Sequence, residues 1–267
     1  MTVTISAACT ACGACLPTCP ERALSPAPLR PAVDDDRCTE CLACLEVCPV
    51  DAITPLEPVH PIEADSYRRM HERVDLSGWP PGAREVVARM VHATADESFA
   101  ATARIGGDAV AAAVAALRSG CPVLCDVRMV LAGLAVPNAA CLLDEVPTAP
   151  PGDTRAAAAF RIAAGRHPDG GLWVVGNAPT ALGALLDLFA AGAVRPAAVV
   201  GLPVGYVGAA EAKASLWDGP LRPIAVTNTG ERGGSPVAAA AVNALGRLAG
   251  LRPAGAALDQ RPLEPGG

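Results

Sequence analysis

Two consecutive segments of the chain share one hydrophobic pattern: a short apolar run, a glycine-closed loop, and then an apolar-rich segment with helical spacing. The first run covers 172–175 with the loop 176–180, and the second covers 197–200 with the loop 201–205. The pattern predicts strand, loop and helix, and two such units in succession predict a parallel sheet flanked by helices, an α/β fold. Ligands of such sheets bind at the carboxyl ends of the strands, so these loops are either a pocket or only tight connections.

The same patterns predict further elements on both sides of these units. Strands are predicted at 121–126, 140–143 and 223–226, and helices at 62–74, from about residue 84 to 92, at 109–117, at 129–134, after a cap at Thr154, and at 236–248. On the helix that ends near His92, the main apolar stripe consists of Val86, Val87, Met90 and Val91. His92 falls on a neighbouring strip of small residues, where it is either a structural histidine or a group that lies beside a ligand.

Composition and charge restrict the classes of protein. The chain has 267 residues and a net charge of −6, which argues against nucleic acid as a partner. No apolar run reaches the roughly 18 residues of a membrane span, and the N-terminus does not resemble a signal peptide, so a cytoplasmic protein with no membrane partner is expected. Residues 1–60 hold 8 acidic and 3 basic side chains, whereas the remainder is nearly balanced. This shift predicts a domain boundary near residue 60.

Eight of the 11 cysteines lie before residue 50, in two identical motifs of the form C-x2-C-x2-C-x3-C-P. The first consists of Cys9, Cys12, Cys15 and Cys19, and the second, 29 residues later, of Cys38, Cys41, Cys44 and Cys48. This is the spacing of a bacterial ferredoxin with two [4Fe–4S] clusters, in which the last cysteine of each motif binds the other cluster. The sequence therefore predicts a small α+β ferredoxin domain at 1–56, followed by a linker at 57–61.

This spacing divides the eight cysteines between two clusters. The predicted ligands are Cys9, Cys12, Cys15 and Cys48 for one cluster, and Cys38, Cys41, Cys44 and Cys19 for the other. A zinc site would use paired knuckles and a disulfide framework would suit an exported chain, so both alternatives are weaker. Outside the motifs, Cys121 and Cys125 are interpreted as small apolar side chains, and together with Cys141 they make a poor metal site.

Several stretches of the large domain, taken together, resemble the precorrin-8X methylmutase family. The stretches are 90–93, 124–130, 154–157, 175–182, 200–213, 232–235 and 241–245. The resemblance covers about residues 62–250, and the Gly-Asn-Ala-Pro-Thr and Gly-x-Pro-Val-Gly blocks are its most specific parts. The tail at 251–267, rich in Pro, Gly and Ala, is expected to be loose.

The resemblance implies an isomerase of cobalamin biosynthesis. Such an enzyme moves a methyl group from C11 to C12 of precorrin-8X or cobalt-precorrin-8, giving hydrogenobyrinic or cobyrinic acid, and the shift needs no cofactor. His92 falls at the position of the family's proton donor or acceptor, a role that suits an imidazole. Ser66 falls on a serine of the family's first helix and is implied as a substrate contact. The family also implies a homodimer.

The substrate is a flat tetrapyrrole fringed with carboxylates, so polar groups are expected around an apolar cleft. The candidate rim residues lie at loops or helix starts that follow predicted strands, and they are Thr154, Arg155, Asn177, Thr180 and Arg232.

Two other functions compete with this interpretation. One is an electron-transfer protein whose large domain binds or docks corrinoids without catalysis. The other is a Schiff-base enzyme that uses Lys213, the only lysine, although its place near Glu211 on a predicted amphipathic helix disfavours it. The ferredoxin is expected to carry electrons to a redox enzyme of the same pathway, with a structural or oxygen-sensing role as the alternative.

Overall fold

The computed structural model describes residues 3–34, 37–38, 43–55 and 61–251. The chain divides into two compact units, residues 1–67 and 68–267. The division falls inside a helix, a few residues beyond the boundary that composition predicts. Within the described residues, no helix is long and apolar enough to cross a membrane.

The smaller unit is built from two cysteine-bearing helical turns and two short antiparallel pairs of strands. In chain order its elements are β1 (Val3–Ile5), α1 (Cys15–Thr18), β2 (Leu24–Ser25), β3 (Ala32–Val33), α2 (Ala43–Glu46) and β4 (Ile53–Pro55). β1 pairs with β4, and β2 pairs with β3. The apolar core between them includes Val3, Ile5, Leu24 and Ile53. The predicted small α+β domain is therefore confirmed.

The boundary between the two units lies within α3 (Pro61–Arg73), and the larger unit begins in the second half of this helix. Its helices are α4 (Pro81–Thr94), α5 (Phe99–Thr102), α6 (Ala109–Arg118), α7 (Arg128–Gly133), α8 (Arg155–Arg166), α9 (Pro179–Ala190), α10 (Ala209–Asp218) and α11 (Ser235–Leu248). Its strands are β5 (Ala103–Ile105), β6 (Val123–Cys125), β7 (Ala139–Ala140), β8 (Leu172–Val175), β9 (Ala198–Gly201) and β10 (Ala225–Asn228).

These strands form one sheet in the order β5-β10-β9-β8-β6-β7. All neighbours are parallel except β5, which pairs with β10 in the antiparallel sense. The central strands β8, β9 and β10 are buried along their whole length, as apolar strands covered on both faces must be. The predicted parallel sheet flanked by helices is confirmed, with one antiparallel edge strand added.

Helices cover both faces of the sheet. On one face α8, α9 and α10 enclose an apolar cluster that contains Trp173, Val175 and Val199, and the ring of Phe160 packs edge-on against Trp173 at 5.0 Å. On the other face α11 packs against α4, α6 and α7. The predicted apolar stripe of α4 is buried in this layer.

Several predicted elements differ in extent from the observed ones. The strands predicted at 140–143 and 223–226 are partly replaced by single 3-10 turns, Leu143–Glu145 and Arg222–Ile224. α4 begins at Pro81 rather than near Arg84, because proline is well tolerated in the first helical turn. β5 and α5 were not predicted, since runs of three and four residues carry no measurable period.

Candidate functional site

Four loops of the larger unit meet at the carboxyl edge of its sheet. They follow β6, β8, β9 and β10, which are successive neighbours in the sheet. Three strand spacings of about 4.8 Å make this edge roughly 14 Å long. α9, α10 and α11 begin directly after these loops, so their N-termini lie at the same edge. Helix N-termini present main-chain N–H groups and favour anions, which suits a ligand that carries carboxylates.

A buried carboxylate fixes the loop after β8. Oδ1 of Asp126 accepts from the amide of Gly176 at 3.1 Å, and Oδ2 accepts from the amides of Asn177 at 2.9 Å and Ala178 at 2.7 Å. Burial raises the pKa of Asp126, and these amide hydrogen bonds oppose the rise. The main chain of the loop is thus fixed by the buried carboxylate, while the side chain of Asn177 stays exposed. Asp126 was not predicted as a site residue, although a single carboxylate that ends an apolar strand is a usable signal.

Two predicted rim residues are joined by their hydroxyl groups. Oγ1 of Thr154 lies 2.7 Å from Oγ1 of Thr180, which connects the starts of α8 and α9. Thr154 also accepts from the amide of Ala157 at 3.2 Å, so its predicted role as a helix cap is confirmed.

Arg155, another predicted rim residue, is half-buried and bonds to the main chain. Its Nε donates to the carbonyl of Val146 at 2.5 Å, and its Nη2 donates to the carbonyl of Leu143 at 3.0 Å. These bonds hold the 3-10 turn that follows β7. A contact between Arg155 and a ligand stays a prediction.

The loops after β9 and β10 are joined to each other through their main chains. The amide of Gly205 donates to the carbonyl of Glu231 at 3.1 Å, and the amide of Gly234 donates to the carbonyl of Leu202 at 2.9 Å. A Cβ on Gly233 would lie 2.4 Å from that same Leu202 oxygen, so a side chain there is excluded. The two loops therefore form one rigid rim, which we call the double loop (202–205 and 231–234).

Arg232 connects the double loop to the end of α4. Its guanidinium hydrogen-bonds the carboxylate of Asp96 and lies 3.4 Å from Oγ of Ser98. The hydrogen bond from Ser98, followed by that from Arg232, lowers the pKa of Asp96. His92 is half-buried in the last turn of α4, four residues before Asp96. The contact therefore brings the His92 end of α4 and the Arg232 loop together at the carboxyl edge.

Lys213 supports the double loop from inside the protein. The helix predicted around it is observed as α10, but the inference that the helix keeps Lys213 out of a desolvated environment is wrong. Its side chain is only 1% exposed. Nζ donates to Oδ1 of Asn228 at 3.0 Å and also to the carbonyl of Arg232. Burial lowers the pKa of Lys213 to about 8, against an opposing effect of Glu231. The signal was present in the sequence, because Ala209, Lys213 and Leu216 share one helix face and all three are buried.

Ser66 lies exposed on α3, in the part of the chain that belongs to the smaller unit. Its role as a substrate contact stays a prediction.

In the smaller unit, four cysteines surround one cavity. Cys9, Cys12, Cys15 and Cys48 line it together. Burial, with the nearby Cys9, Cys12 and Cys48, raises the pKa of Cys15. Among the described residues, no three His, Cys, Asp or Glu side chains converge on one metal ion. A cubane suits thiolates held apart around a space, because each thiolate binds a different iron.

Main-chain amides point at the cysteine sulfurs. Sγ of Cys48 accepts from the amide of Ala52 at 3.2 Å, and Sγ of Cys19 accepts from the amide of Ala23 at 3.3 Å. Amides of Val50, Ala52 and Ile53 lower the pKa of Cys48, which favours the thiolate that a cluster needs. The equivalent bonds reflect the repeat of the two motifs.

The ligand set predicted for the second cluster is only partly covered by the structure. Cys19 and Cys38 are half-buried and Cys44 is buried, whereas Cys41 lies outside the described residues.

These features define an α/β domain with a candidate site at the carboxyl edge of a mainly parallel sheet, preceded in the chain by a small unit whose cysteines suit iron–sulfur clusters. The family model described as precorrin-8X methylmutase matches residues 61–248. The model described as a 4Fe-4S dicluster domain matches residues 8–52. The chain belongs to the precorrin-8X methylmutase family, which makes it an isomerase, and it carries an iron–sulfur ferredoxin domain at its start.

Individual relatives support this membership. A precorrin-8X methylmutase of Pseudomonas aeruginosa is 39% identical over 194 residues, which cover 69% of this chain and 93% of that protein. A cobalt-precorrin-8 methylmutase of Methanothermobacter thermautotrophicus is 40% identical over 175 residues, 64% of this chain and 83% of the relative. The crystal structure of a precorrin-8X methylmutase from Thermus thermophilus superposes with a TM-score of 0.63 at 37% identity, covering 70% of this chain and 95% of that one.

Proposed function

We propose that the larger unit catalyses the methyl shift from C11 to C12 on precorrin-8X or cobalt-precorrin-8, giving hydrogenobyrinic or cobyrinic acid. The observation that carries the proposal is the contact between Arg232 and Asp96. It connects the segment just after α4, four residues beyond His92, to the loops at the carboxyl edge, and this supports a role for His92 at that edge. The relatives named above, which include both precorrin-8X and cobalt-precorrin-8 methylmutases, support the same reaction.

The carboxyl edge offers both kinds of group that a carboxylate-fringed macrocycle needs. Polar groups are the guanidinium of Arg232, the exposed amide of Asn177 and the paired hydroxyls of Thr154 and Thr180. Exposed apolar side chains follow β6 and β9 at the same edge, namely Met129, Val204, Tyr206 and Val207. Charge-assisted bonds to the carboxylates and apolar contact with the ring would together orient the substrate.

The proposed chemistry requires one proton-transfer group from the protein. In the shift, the bond between the methyl carbon and C11 breaks and a bond to C12 forms within the same molecule, so no oxidant or co-substrate is consumed. His92 donates or accepts the proton that holds the macrocycle in the tautomer from which the methyl group migrates. An imidazole suits this role because its unperturbed pKa lies near neutrality.

The smaller unit is proposed to bind two [4Fe–4S] clusters that carry single electrons. The first cluster would be held by Cys9, Cys12, Cys15 and Cys48, and the second by Cys38, Cys41, Cys44 and Cys19. When bound, such clusters supply one-electron transfer. Since the methyl shift is redox-neutral, the electrons would serve a redox enzyme of the same pathway.

A homodimer in the cytoplasm completes the proposal. Tyr206 and Val207, which directly follow the first segment of the double loop, are 97% and 88% exposed, and such adjacent large apolar side chains support a partner surface next to the double loop. Sedimentation velocity of the full chain tests this, since a monomer at all concentrations would contradict it.

The methyl shift is tested with the full chain and precorrin-8X, with the extracted corrinoids separated by chromatography and identified by their visible spectra. Extraction removes the absorbance of the clusters. His92→Ala should lower kcat by about 100-fold or more, as expected for loss of a general acid or base. His167→Gln is the matched control, because His167 precedes β8 and therefore lies at the opposite edge of the sheet. If neither the full chain nor the control converted precorrin-8X or its cobalt form, the larger unit would be a corrinoid-binding module instead.

A further inference from the structure

The larger unit contains two cysteines on neighbouring strands that the methyl shift does not use. β6 ends at Cys125, and Cys141 directly follows β7. Leu124 pairs with Ala140 in the parallel ladder, so the next residue of each strand is Cys125 on one side and Cys141 on the other. Sγ of Cys125 donates to the carbonyl of Ala140 at 3.3 Å, so its side chain lies against the strand that leads to Cys141.

We propose that Cys125 and Cys141 form a modification site, at which a hydroperoxide converts the two thiols to a reversible disulfide. Neighbouring parallel strands lie about 4.8 Å apart, within the range of about 4.4–6.8 Å that a disulfide bridges between Cα atoms. The geometry therefore allows the bond without separating the two strands. The site does not rest on the proposed methyl shift, because the proposed chemistry gives neither cysteine a role.

The two thiols differ in the way that such a reaction requires. Cys141 is half-buried, whereas Cys125 is 3% exposed. The neighbouring thiol of Cys125, ahead of the amide of Leu143, lowers the pKa of Cys141 against burial and the carboxylates of Asp126 and Asp144. The proximity of Cys141, with burial, raises the pKa of Cys125. Cys141 is therefore the thiolate that meets the oxidant, and Cys125 is the thiol that resolves it.

The reaction balances in two steps. The thiolate sulfur of Cys141 attacks one peroxide oxygen and the O–O bond breaks, so Cys141 becomes a sulfenic acid. The departing oxygen takes from solvent the proton that Cys141 released on ionisation, and it leaves as water or an alcohol. The sulfur of Cys125 then attacks the sulfur of Cys141, the S–O bond breaks, and the hydroxide leaves as water with the proton of Cys125. A dithiol reductant reverses the disulfide by thiol exchange.

The disulfide between Cys125 and Cys141 would form close to a side chain that fixes a binding loop. Cys125 directly precedes Asp126, the carboxylate that holds the amides of Gly176, Asn177 and Ala178. A covalent bond between the ends of β6 and β7 would therefore form one residue away from the support of a binding loop.

The test is peptide mapping of the full chain with its clusters reconstituted. The protein is treated briefly with a small molar excess of hydrogen peroxide, alkylated with N-ethylmaleimide under denaturing conditions, and digested with trypsin. Cleavage after Arg118, Arg128 and Arg155 places Cys125 and Cys141 in separate peptides, 119–128 and 129–155. We expect the oxidised sample to contain these peptides linked, with the loss of two hydrogen atoms, and dithiothreitol to release both.

Cys121 provides the matched control, because it shares the peptide 119–128 and is also buried. The link should persist in Cys121→Ser and disappear in Cys125→Ser and in Cys141→Ser, and fragmentation should locate it at Cys125 in the native chain. A link through Cys121, a link that dithiothreitol does not release, or sulfinic acid at Cys141 without any link would each overturn the proposal. Because this readout needs no substrate, it does not depend on the outcome for the methyl shift.

Discussion

Oδ2 of Asp126 accepts a hydrogen bond of 2.7 Å from the main-chain amide of Ala178, at the first turn of α9. With the bonds from Gly176 and Asn177, the carboxylate accepts from three consecutive main-chain amides. The loop after β8 is therefore fixed by one buried side chain of a neighbouring strand.

Asp126→Asn should destabilise the larger unit. An asparagine has the same shape, but its NH2 group would face at least one main-chain N–H, which leaves that donor unpaired. We expect a loss of about 2–4 kcal/mol in the free energy of unfolding. Denaturant unfolding followed by tryptophan fluorescence measures it, since Trp79, Trp173 and Trp217 all lie in the larger unit.

The control for this substitution is Asp144→Asn. Asp144 pairs with Arg128 at 3.0 Å, and both side chains are more than half exposed. Exposed ion pairs contribute about 0–1 kcal/mol, so this variant should unfold almost as the native chain does. Equal losses in the two variants would contradict the role assigned to Asp126.

Lys213 makes the stability of the larger unit depend on pH in the alkaline range. Its pKa falls from 10.5 in the unfolded chain to about 8 in the folded one. Between these values the unfolded state binds more protons, so the free energy of unfolding should rise with pH. The shift corresponds to at most about 3 kcal/mol. Lys213→Met should lack this rise, as measured by denaturant unfolding from about pH 7 to about pH 10.

The prediction concerns how the free energy of unfolding changes with pH, not its absolute value. Lys213→Met removes the hydrogen bonds to Asn228 and Arg232 as well as a buried amine, so the absolute values of the two proteins differ for more than one reason. Parallel pH profiles for the native chain and Lys213→Met would show that the buried amine does not titrate in this range.

Gly233→Ala should disrupt the double loop. Its Cβ would lie 2.3 Å from the carbonyl oxygen of Pro203 and 2.4 Å from that of Leu202, so the two loops would have to separate. Overpacking of this kind costs about 1–3 kcal/mol or more. We also expect a raised KM for the tetrapyrrole, because Arg232 would be displaced with its loop.

Gly107→Ala is the control, because nothing lies within 4 Å of a Cβ built at Gly107. It should change the free energy of unfolding by less than about 0.5 kcal/mol. Thermal unfolding of the two variants, side by side with steady-state kinetics, separates a local clash from a general intolerance of alanine in loops.

Pairs of cysteine substitutions test the division of ligands between the two clusters. Cys48→Ser should reduce the iron content from about eight to about four per chain, because one cubane loses a ligand. Combining it with Cys12→Ser should cause no further loss, since both serve the same cluster. Combining it with Cys19→Ser should remove both clusters.

Iron and sulfide analysis after anaerobic reconstitution, with electron paramagnetic resonance of the reduced protein, provides the measurement. Cys121→Ser should keep the full iron content, because Cys121 lies outside the motifs. If the pair Cys12 and Cys48 also lost both clusters, each motif would hold its own cluster, and the assignments of Cys19 and Cys48 would have to be exchanged.

The central strands were predictable because they are buried on both faces and therefore read as continuous apolar runs. β8 and β9 were found in this way to within one residue. β5 was missed for the opposite reason, since Ala103–Ile105 is a three-residue edge strand whose pairing with β10 depends on a segment more than a hundred residues away.

Candidate site residues could be named from the sequence only where the residue type or the family resemblance indicated them, as for His92, Asn177 and Arg232. The burial of Lys213 and the three hydrogen bonds of Asp126 could not be named in this way, because they depend on contacts between distant segments. Asp126 and Ala178 are 52 positions apart in the chain. Helical periodicity with Ala209 and Leu216 indicates that Lys213 faces inward, whereas the nearby charge of Glu211 indicates an exposed position, and the structure agrees with the periodicity.

The main-chain bonds within the double loop have a consequence for protein engineering. Gly205 bonds to Glu231, and Gly234 bonds to Leu202, so neither loop has a conformation of its own. A designer who wishes to admit a tetrapyrrole with different peripheral groups cannot lengthen or graft one loop alone. The two segments have to be exchanged together. Lys213 has to be retained with them, because its amine donates a hydrogen bond to the carbonyl of Arg232.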